Sequence, residues 1–585
     1  MTFGRLSRYF ERLEATSSRL VLIDILTELF AEVGKDEVGM VSYLLQGRVA
    51  PFYEATEIGM SEKLVAQVMA RVYGVDREEI LKEYGKVGDL GKVAERHSGK
   101  RVKRAHPESD SGQARMTVKQ VFETLTEIAG TTGDGTVEKK ISMLAGLLEK
   151  MDGVSVKHLV RVPLGASRLG IGDPTILDAF AKLKLGDKGK RGELEGAYNR
   201  VSDLGLIGET LWAKGLKGVQ GLDVTLGRPV RPQLCERITD PKAILEKYGG
   251  KVHVQYKYDG FRVQIHKNGN KIRLFSRNLE ETTLMFPDII SGVLKQVKAK
   301  SIILDSEALA YNPESEEFLP FQQTSQRRRK YGIDEMQKKL PLRAFVFDIM
   351  YLDGKSLMDL PLEARIKNLE ARITGDEVLI PHPGEIVSNQ EKLTAMFDDA
   401  ISKGLEGLIV KRPDSKYEAG ARNFNWIKLK RNSSGELQDT VDCVVLGYIY
   451  GKGKRSAFGA GALLVGVYDE KNDEFVTVSK IGTGLTDDEW REIHKRADKI
   501  KINKQPARVK SILKPSVWIA PEIVIEVLAD EITRSPVHTA GKDKDGIGYA
   551  LRFPRLIKFR EADKEAEDAT TVKELIEMYK GQYKK

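Results

Sequence analysis

Cysteine is nearly absent. Cys235 and Cys443 are the only two in 585 residues, too few and too far apart in sequence for a disulfide framework or a four-cysteine zinc site. Long apolar runs are missing too. The longest, such as "LVLIDIL" from Leu20, fall far short of the ~20 residues of a bilayer span. The opening "MTFGRLSRYFERLEA" lacks the apolar core and small-residue site of a secretory leader. No internal repeat or long low-complexity tract interrupts the chain. These absences argue against a disulfide scaffold, a membrane-spanning chain and a fibrous array, and imply a reducing, intracellular setting. Hydrophobic residues make up 41% and charged residues 31%, which is globular with a charge excess. The imbalance of sign is small: 94 Lys and Arg against 85 Asp and Glu give +9. That suits a polyanionic partner without requiring one.

A chain of 585 residues suggests three or four domains at about 150 residues each. Residues 1–230 read as helical: Leu6, Tyr9, Phe10 and Leu13 recur at helical spacing, and Ser17 or Ser18 is placed to cap the apolar run Leu20 to Phe30. A polar, basic stretch from 96 to 116 is expected to be an exposed loop. From about Pro241 the apolar period becomes two, as in "KVHVQYKYDG" and "FRVQIHKNGNKIRLFSR", and Asn268-Gly269 predicts a tight hairpin. Strands and helices mix through 231–433. Residues 434–585 carry short strands and glycine-rich turns, the pattern of a small barrel.

Ionisable groups on apolar strands carry the chemical signal. Lys257 falls within an alternating strand, with Asp259-Gly260 behind it; Glu307 lies in "LDSEALA", Glu406 in "GLEGLIVKR", and Lys428 and Lys430 in "WIKLK". A lone lysine of this kind usually snorkels to solvent. Five such groups are costly to bury separately and are accommodated together in one cleft that binds metal and phosphate. A lysine amine attacks phosphorus only when neutral, and neighbouring cations and partial burial favour that form. The "RRRK" run at 327–330 reads as a solvated loop.

These motifs, in this order, resemble those of the ATP-dependent DNA ligases, most closely the archaeal and eukaryotic replicative type. The resemblance covers nearly the whole chain and includes "ASRLGIGDPTILDAFA", which is similar to that family's DNA-binding signature. It implies a multidomain protein: an all-α DNA-binding domain (1–230), an α/β (α+β) nucleotidyltransferase domain (231–433) and an all-β OB-fold domain (434–585). It implies that Lys257 accepts AMP from ATP, with Arg262, Arg277, Glu307, Phe347, Arg422, Lys428 and Lys430 at the nucleotide, Phe347 stacking on adenine, and Glu307 and Glu406 holding Mg2+. It further implies that nicked double-stranded DNA is sealed through an adenylated 5′-phosphate, in replication, repair, recombination and cell division, by a cytoplasmic, nucleoid-associated monomer. A sliding clamp is a candidate partner, with 96–116 the place to look for its docking. The lysine motif is shared with mRNA capping guanylyltransferases and RNA ligases, but a helical region of over two hundred residues argues against both. An NAD-dependent ligase would need four zinc-binding cysteines, and a catalytically inactive DNA-binding scaffold would not need Lys257, Glu307 and Glu406.

Two departures from the family pattern stand out. Gln255 replaces the usual glutamate two residues before the lysine, and its amide can accept or donate, which leaves the strictness of ATP selection open. The C-terminal motif carries an extra residue in "READK", which leaves the register of Asp563 and Lys564 open. The basic segment Arg552 to Lys564 is expected to meet the triphosphate in the first step.

Overall fold

The computed structural model describes residues 1–54, 56, 58–102, 116–238, 240–312, 317–319, 321–329, 331–402, 405–430, 440–451, 459–482, 485–560 and 564–582. Two compact units form, Met1–Leu429 and Lys430–Lys585.

The first unit begins with helices, from Phe3–Glu14 to Leu204–Gln220. Polar caps start many of them. Thr2, Ser61, Asp76 and Asp152 each accept a backbone N–H of the first turn, satisfying donors that a helix leaves unpaired. Ser18 occupies the cap position of Arg19–Glu32 but makes no such bond. Leu6, Tyr9, Phe10 and Leu13 are all buried, in one core with Leu26, Leu29, Phe180 and Ile207. The expected loop at 96–116 is corrected at its start. Residues 96–102 continue the helix Leu90–Val102, with His97 and Ser98 buried; residues 103–115 lie outside the described residues.

Two sheets follow. The five-stranded sheet runs Leu234–Arg237, Arg422–Lys430, Gly407–Lys411, Val252–Lys257, Glu385–Val387. The larger one is built on Lys271–Ser276, Phe261–Asn268, Ser301–Asn312 and Leu342–Leu352. The hairpin between its first two strands forms, but its turn residues are Gly269 and Asn270, since Asn268 pairs with Lys271. Gly269 takes the left-handed φ of +58°, which suits a residue without Cβ. Apolar and polar faces alternate because successive side chains in a strand point oppositely. Val263, Ile265, Leu304, Ala344 and Val346 form the core beneath.

The second unit is β-rich. Val441–Ile449 pairs with Ala462–Asp469 and with Val524–Leu528, which in turn pairs with Arg555–Phe559. The helix Asp487–Lys499 starts from a capping box of Thr486 and Glu489 and buries Trp490 and Ile493. Asp563 lies outside the described residues; Lys564 is described, its Nζ 2.5 Å from Asp442 Oδ2.

Candidate active site

Lys257 closes its strand, and the chain turns at once through Asp259 and Gly260. The turn is tight because a Cβ on Gly260 would come within 2.4 Å of the Ala308 carbonyl oxygen. This closeness lets Gly260 N–H donate to Glu307 Oε1 at 3.1 Å. Across the other side, Lys257 is opposite Gly407 in the antiparallel register, which brings the preceding residue, Glu406, into an ion pair with the Lys257 ammonium. Glu307, next to Lys257 and Arg262, is nonetheless pushed up to about 7 by burial. A carboxyl poised there gains from a cation that stabilises its ionised form.

The same pairing puts Gln255 opposite Ile409 and His253 opposite Lys411, so Lys257, Gln255 and Lys411 share one face. Gln255 is buried, and its amide nitrogen donates to the main-chain oxygens of His382 (2.6 Å) and Phe347 (3.2 Å). Both amide hydrogens are thereby committed, and the remaining group is the acceptor Oε1. Lys411 is buried without a hydrogen-bond acceptor for its Nζ. Its ammonium lies 3.9 Å from the Trp426 ring centre, 4.9 Å from that of Phe347 and 3.9 Å from Asp348 Oδ2. Burial pushes it down to about 8, against the pull of Asp348. Asp348 is already taken by Arg365 at 2.8 and 3.1 Å, so Lys411 is a desolvated donor held between two rings. Phe347 is half-buried, its ring at 78° to that of Trp426 with centroids 6.2 Å apart.

Arg262 is engaged on every side by protein. It grips Asp305 at 3.0 and 2.6 Å, donates to the Gln233 carbonyl at 2.9 Å and to Tyr417 Oη at 3.2 Å, and lies over Phe347 and Trp426. Lys428 and Lys430 are half-buried on Arg422–Lys430. Burial pushes the Cys235 thiol up, opposed by Arg262, Lys411, Lys257 and Lys428; four cations are thus within electrostatic reach of one sulfur. Arg277 is exposed in the turn after Lys271–Ser276, and Arg422 is exposed with Nη1 3.5 Å from the Cys235 carbonyl oxygen.

Sequence reasoning passed over Lys411, Trp426, Asp305 and Tyr417. For Lys411 the signal was present, since it ends the apolar strand "GLIVK" as Glu307 ends "IILDSE". Arg327 was misassigned: instead of a solvated loop residue it is fully buried, bonded to Asp288 and to the carbonyls of Leu340 and Met336. Elsewhere, Glu11, Glu14 and His158 bring ligand atoms together, but Lys157 and Arg161 are paired with those same carboxylates, which makes the cluster an ion-pair network. At the main site, two carboxylates beside Lys257 suit Mg2+, which commonly takes one or two protein carboxylates and completes its shell with substrate phosphates and water.

Comparison with known proteins gives a consistent picture. A family model described as "DNA ligase N terminus" matches residues 2–181, one described as "ATP dependent DNA ligase domain" matches 232–430, and one described as "ATP dependent DNA ligase C terminal region" matches 456–564. The chain is 47% identical to a "Probable DNA ligase" of Dictyoglomus turgidum, over all of this chain and 98% of that one. It is 40% identical to a "DNA ligase" of Sulfolobus acidocaldarius, over all of this chain and 99% of that one. Among solved structures, "Pmar-Lig_PreS3" has a similar fold, with a TM-score of 0.50 at 16% identity over 95% of this chain and 99% of that one.

Proposed function

The chain belongs to the ATP-dependent DNA ligase family, and from that premise we infer that Lys257 is the residue that carries AMP. The observation that carries the reading is the set of groups about Val252–Lys257: Glu406 paired with Lys257, Glu307 bonded to Gly260 just beyond it, and Gln255 and Lys411 on the same sheet face, Lys411 over the Phe347 ring. The amine gives up its Glu406 partner and a proton, its lone pair forms the bond to the α-phosphorus, and pyrophosphate leaves. AMP then passes to the 5′-phosphate of a nick, and the 3′-hydroxyl displaces it. Glu307 and Glu406 would hold Mg2+, which when bound neutralises developing phosphate charge.

The base is read by complementarity. Phe347 offers a face for stacking; Gln255 Oε1 accepts from an exocyclic amine; Lys411 donates to a ring nitrogen. That donor-acceptor pair suits adenine and opposes guanine, whose 6-oxo group would face an acceptor. Lys428, Lys430, Arg277 and Arg422 serve the phosphates, and Arg262 braces the floor from Asp305. Domain limits at 1–230, 231–433 and 434–585, the last an OB-type barrel, complete the reading, with nicked duplex DNA as substrate. Incubation with labelled ATP, GTP or NAD and Mg2+, followed by a nicked-DNA chase, tests it: a covalent adduct is expected from ATP and is expected to disappear on the chase. An adduct formed only from GTP would overturn it.

A further inference from the structure

The strand Val252–Lys257 loses its neighbour on one edge before it reaches the lysine. Glu385–Val387 pairs with it only from Val252 to Val254. Gly384, just before that neighbour, has a φ of +73°, and a Cβ there would come within 2.4 Å of the Val254 carbonyl oxygen. Lys257 bonds toward the other edge, where its carbonyl oxygen accepts Glu406 N–H at 3.1 Å. Alternate residues of a strand bond toward opposite edges, so the donor left beyond the end of Glu385–Val387 is Tyr256 N–H. A side chain takes it: Tyr256 N–H donates to His382 Nε2 at 3.0 Å.

His382 is itself fixed. Pro381 and Pro383 flank it, which restricts its backbone to extended conformations. Its own N–H donates to the Val346 oxygen at 2.8 Å, on the strand that carries Phe347, and its carbonyl oxygen accepts the Gln255 amide at 2.6 Å. Its ring is near parallel to that of Tyr256, with centres 6.0 Å apart at 17°, and lies 5.3 Å from the ring of Tyr258. Tyr258 in turn stacks on Phe345 at 3.7 Å and 12°. Burial, together with the Lys411 charge, pushes the His382 ring down to about 4. At neutral pH the ring is therefore uncharged, and Nε2 keeps the lone pair that accepts Tyr256 N–H. One residue thus ties Val252–Lys257 to Leu342–Leu352, which belong to different sheets.

We propose that His382 is a positioning residue for adduct formation: its ring nitrogen extends the ladder by one rung at Tyr256, so that Lys257, the next residue, is held at a set distance from the strand of Phe347. This rests on the reading that Lys257 takes AMP while Phe347 carries the base. Without the acceptor, Tyr256 N–H is left unpaired and the strand end is free to shift. An amine displaced from the line of attack on the α-phosphorus loses rate without losing affinity for ATP.

His382→Leu, which keeps bulk without an acceptor, and His382→Gln, whose amide oxygen reaches about as far as Nε2, are assayed in the full chain beside Lys257→Ala. In His382→Leu the limiting rate of adduct formation from ATP is expected to fall roughly tenfold, the scale of one orphaned buried donor, with the KM for ATP within about twofold of wild type. His382→Gln is expected to recover the rate to within about threefold. Sealing of a pre-adenylated nick, in which Lys257 forms no bond and which also reports that the variants are folded, is expected to stay within about twofold in both. An unchanged adduct rate in His382→Leu overturns the proposal, as does a loss confined to KM. Equal losses in His382→Leu and His382→Gln overturn it too, since they assign the ring to packing alone, and so does a sealing loss that matches the adduct loss. If Lys257→Ala forms the adduct at the wild-type rate, the underlying reading fails. If Lys257→Ala forms none while His382→Leu is normal, only the positioning role fails.

Discussion

Gln255 differs from the residue usual at its position, yet its amide hydrogens are spent on His382 and Phe347, so it presents an oxygen to the pocket much as a glutamate would. Gln255→Glu is therefore expected to leave the ratio of ATP to GTP in adduct formation little changed, whereas Lys411→Met is expected to raise the KM for ATP roughly tenfold, the loss of one charged hydrogen bond. Steady-state adduct assays check both, and a Lys411→Met variant with an unchanged KM would remove Lys411 from base recognition. Glu307 gives a pH prediction. Its carboxyl is raised to about 7 from 4.5, so the folded state binds the proton more tightly than the unfolded state, and stability falls as pH climbs through that window. Glu307→Gln lacks this loss and is expected to gain on wild type by about 2–3 kcal/mol between pH 4.5 and 8 in metal-free unfolding titrations; a constant difference would contradict the assigned environment. At this scale the sequence was legible where an ionisable group interrupted an apolar strand, as with Lys257 and Glu307. It was not legible for Arg262, whose partner Asp305 is 43 residues away, nor for Arg327, which a run of basic residues disguises as solvent-facing.

Strand pairing is what turns these residues into a site. The register that sets Gly407 against Lys257 also sets His253 against Lys411, and a one-residue slip would send every one of these side chains to the other face. Period-two patterning revealed the strands, but which strands pair was not readable, because Val252–Lys257 finds its partner about 150 residues further on, as sequence separations of that size leave no local trace. The helix through residues 96–102 was missed for a related reason: where its side chains are described, at 96–99, the buried ones are His97 and Ser98, and neither gives an apolar periodicity. Gly260 is the element-scale test. Its missing Cβ admits the Ala308 carbonyl, and Gly260→Ala is expected to cost about 1–3 kcal/mol and to weaken the Glu307 bond. Urea unfolding with no measurable change would show that the turn can move aside.

Across the whole molecule, a net charge of +9 and a family that acts on DNA imply binding through backbone phosphates. Affinity for nicked duplex is expected to fall steeply and linearly on a log-log scale with salt, by about 0.9 per phosphate neutralised, and to vary little with base sequence; a salt-independent affinity would contradict this. Helical and β-rich regions were legible from hydrophobic period alone, and the ordered motifs identified the family. The two units divide at Leu429, within Arg422–Lys430, a single unbroken strand. The most direct measurement compares wild type with Lys257→Ala in the full chain, using labelled ATP and Mg2+ and, separately, a nick that already carries AMP. The account predicts that Lys257→Ala forms no covalent AMP adduct yet still seals the pre-adenylated nick at a measurable rate; an acid-labile adduct formed by Lys257→Ala at the wild-type rate would contradict it.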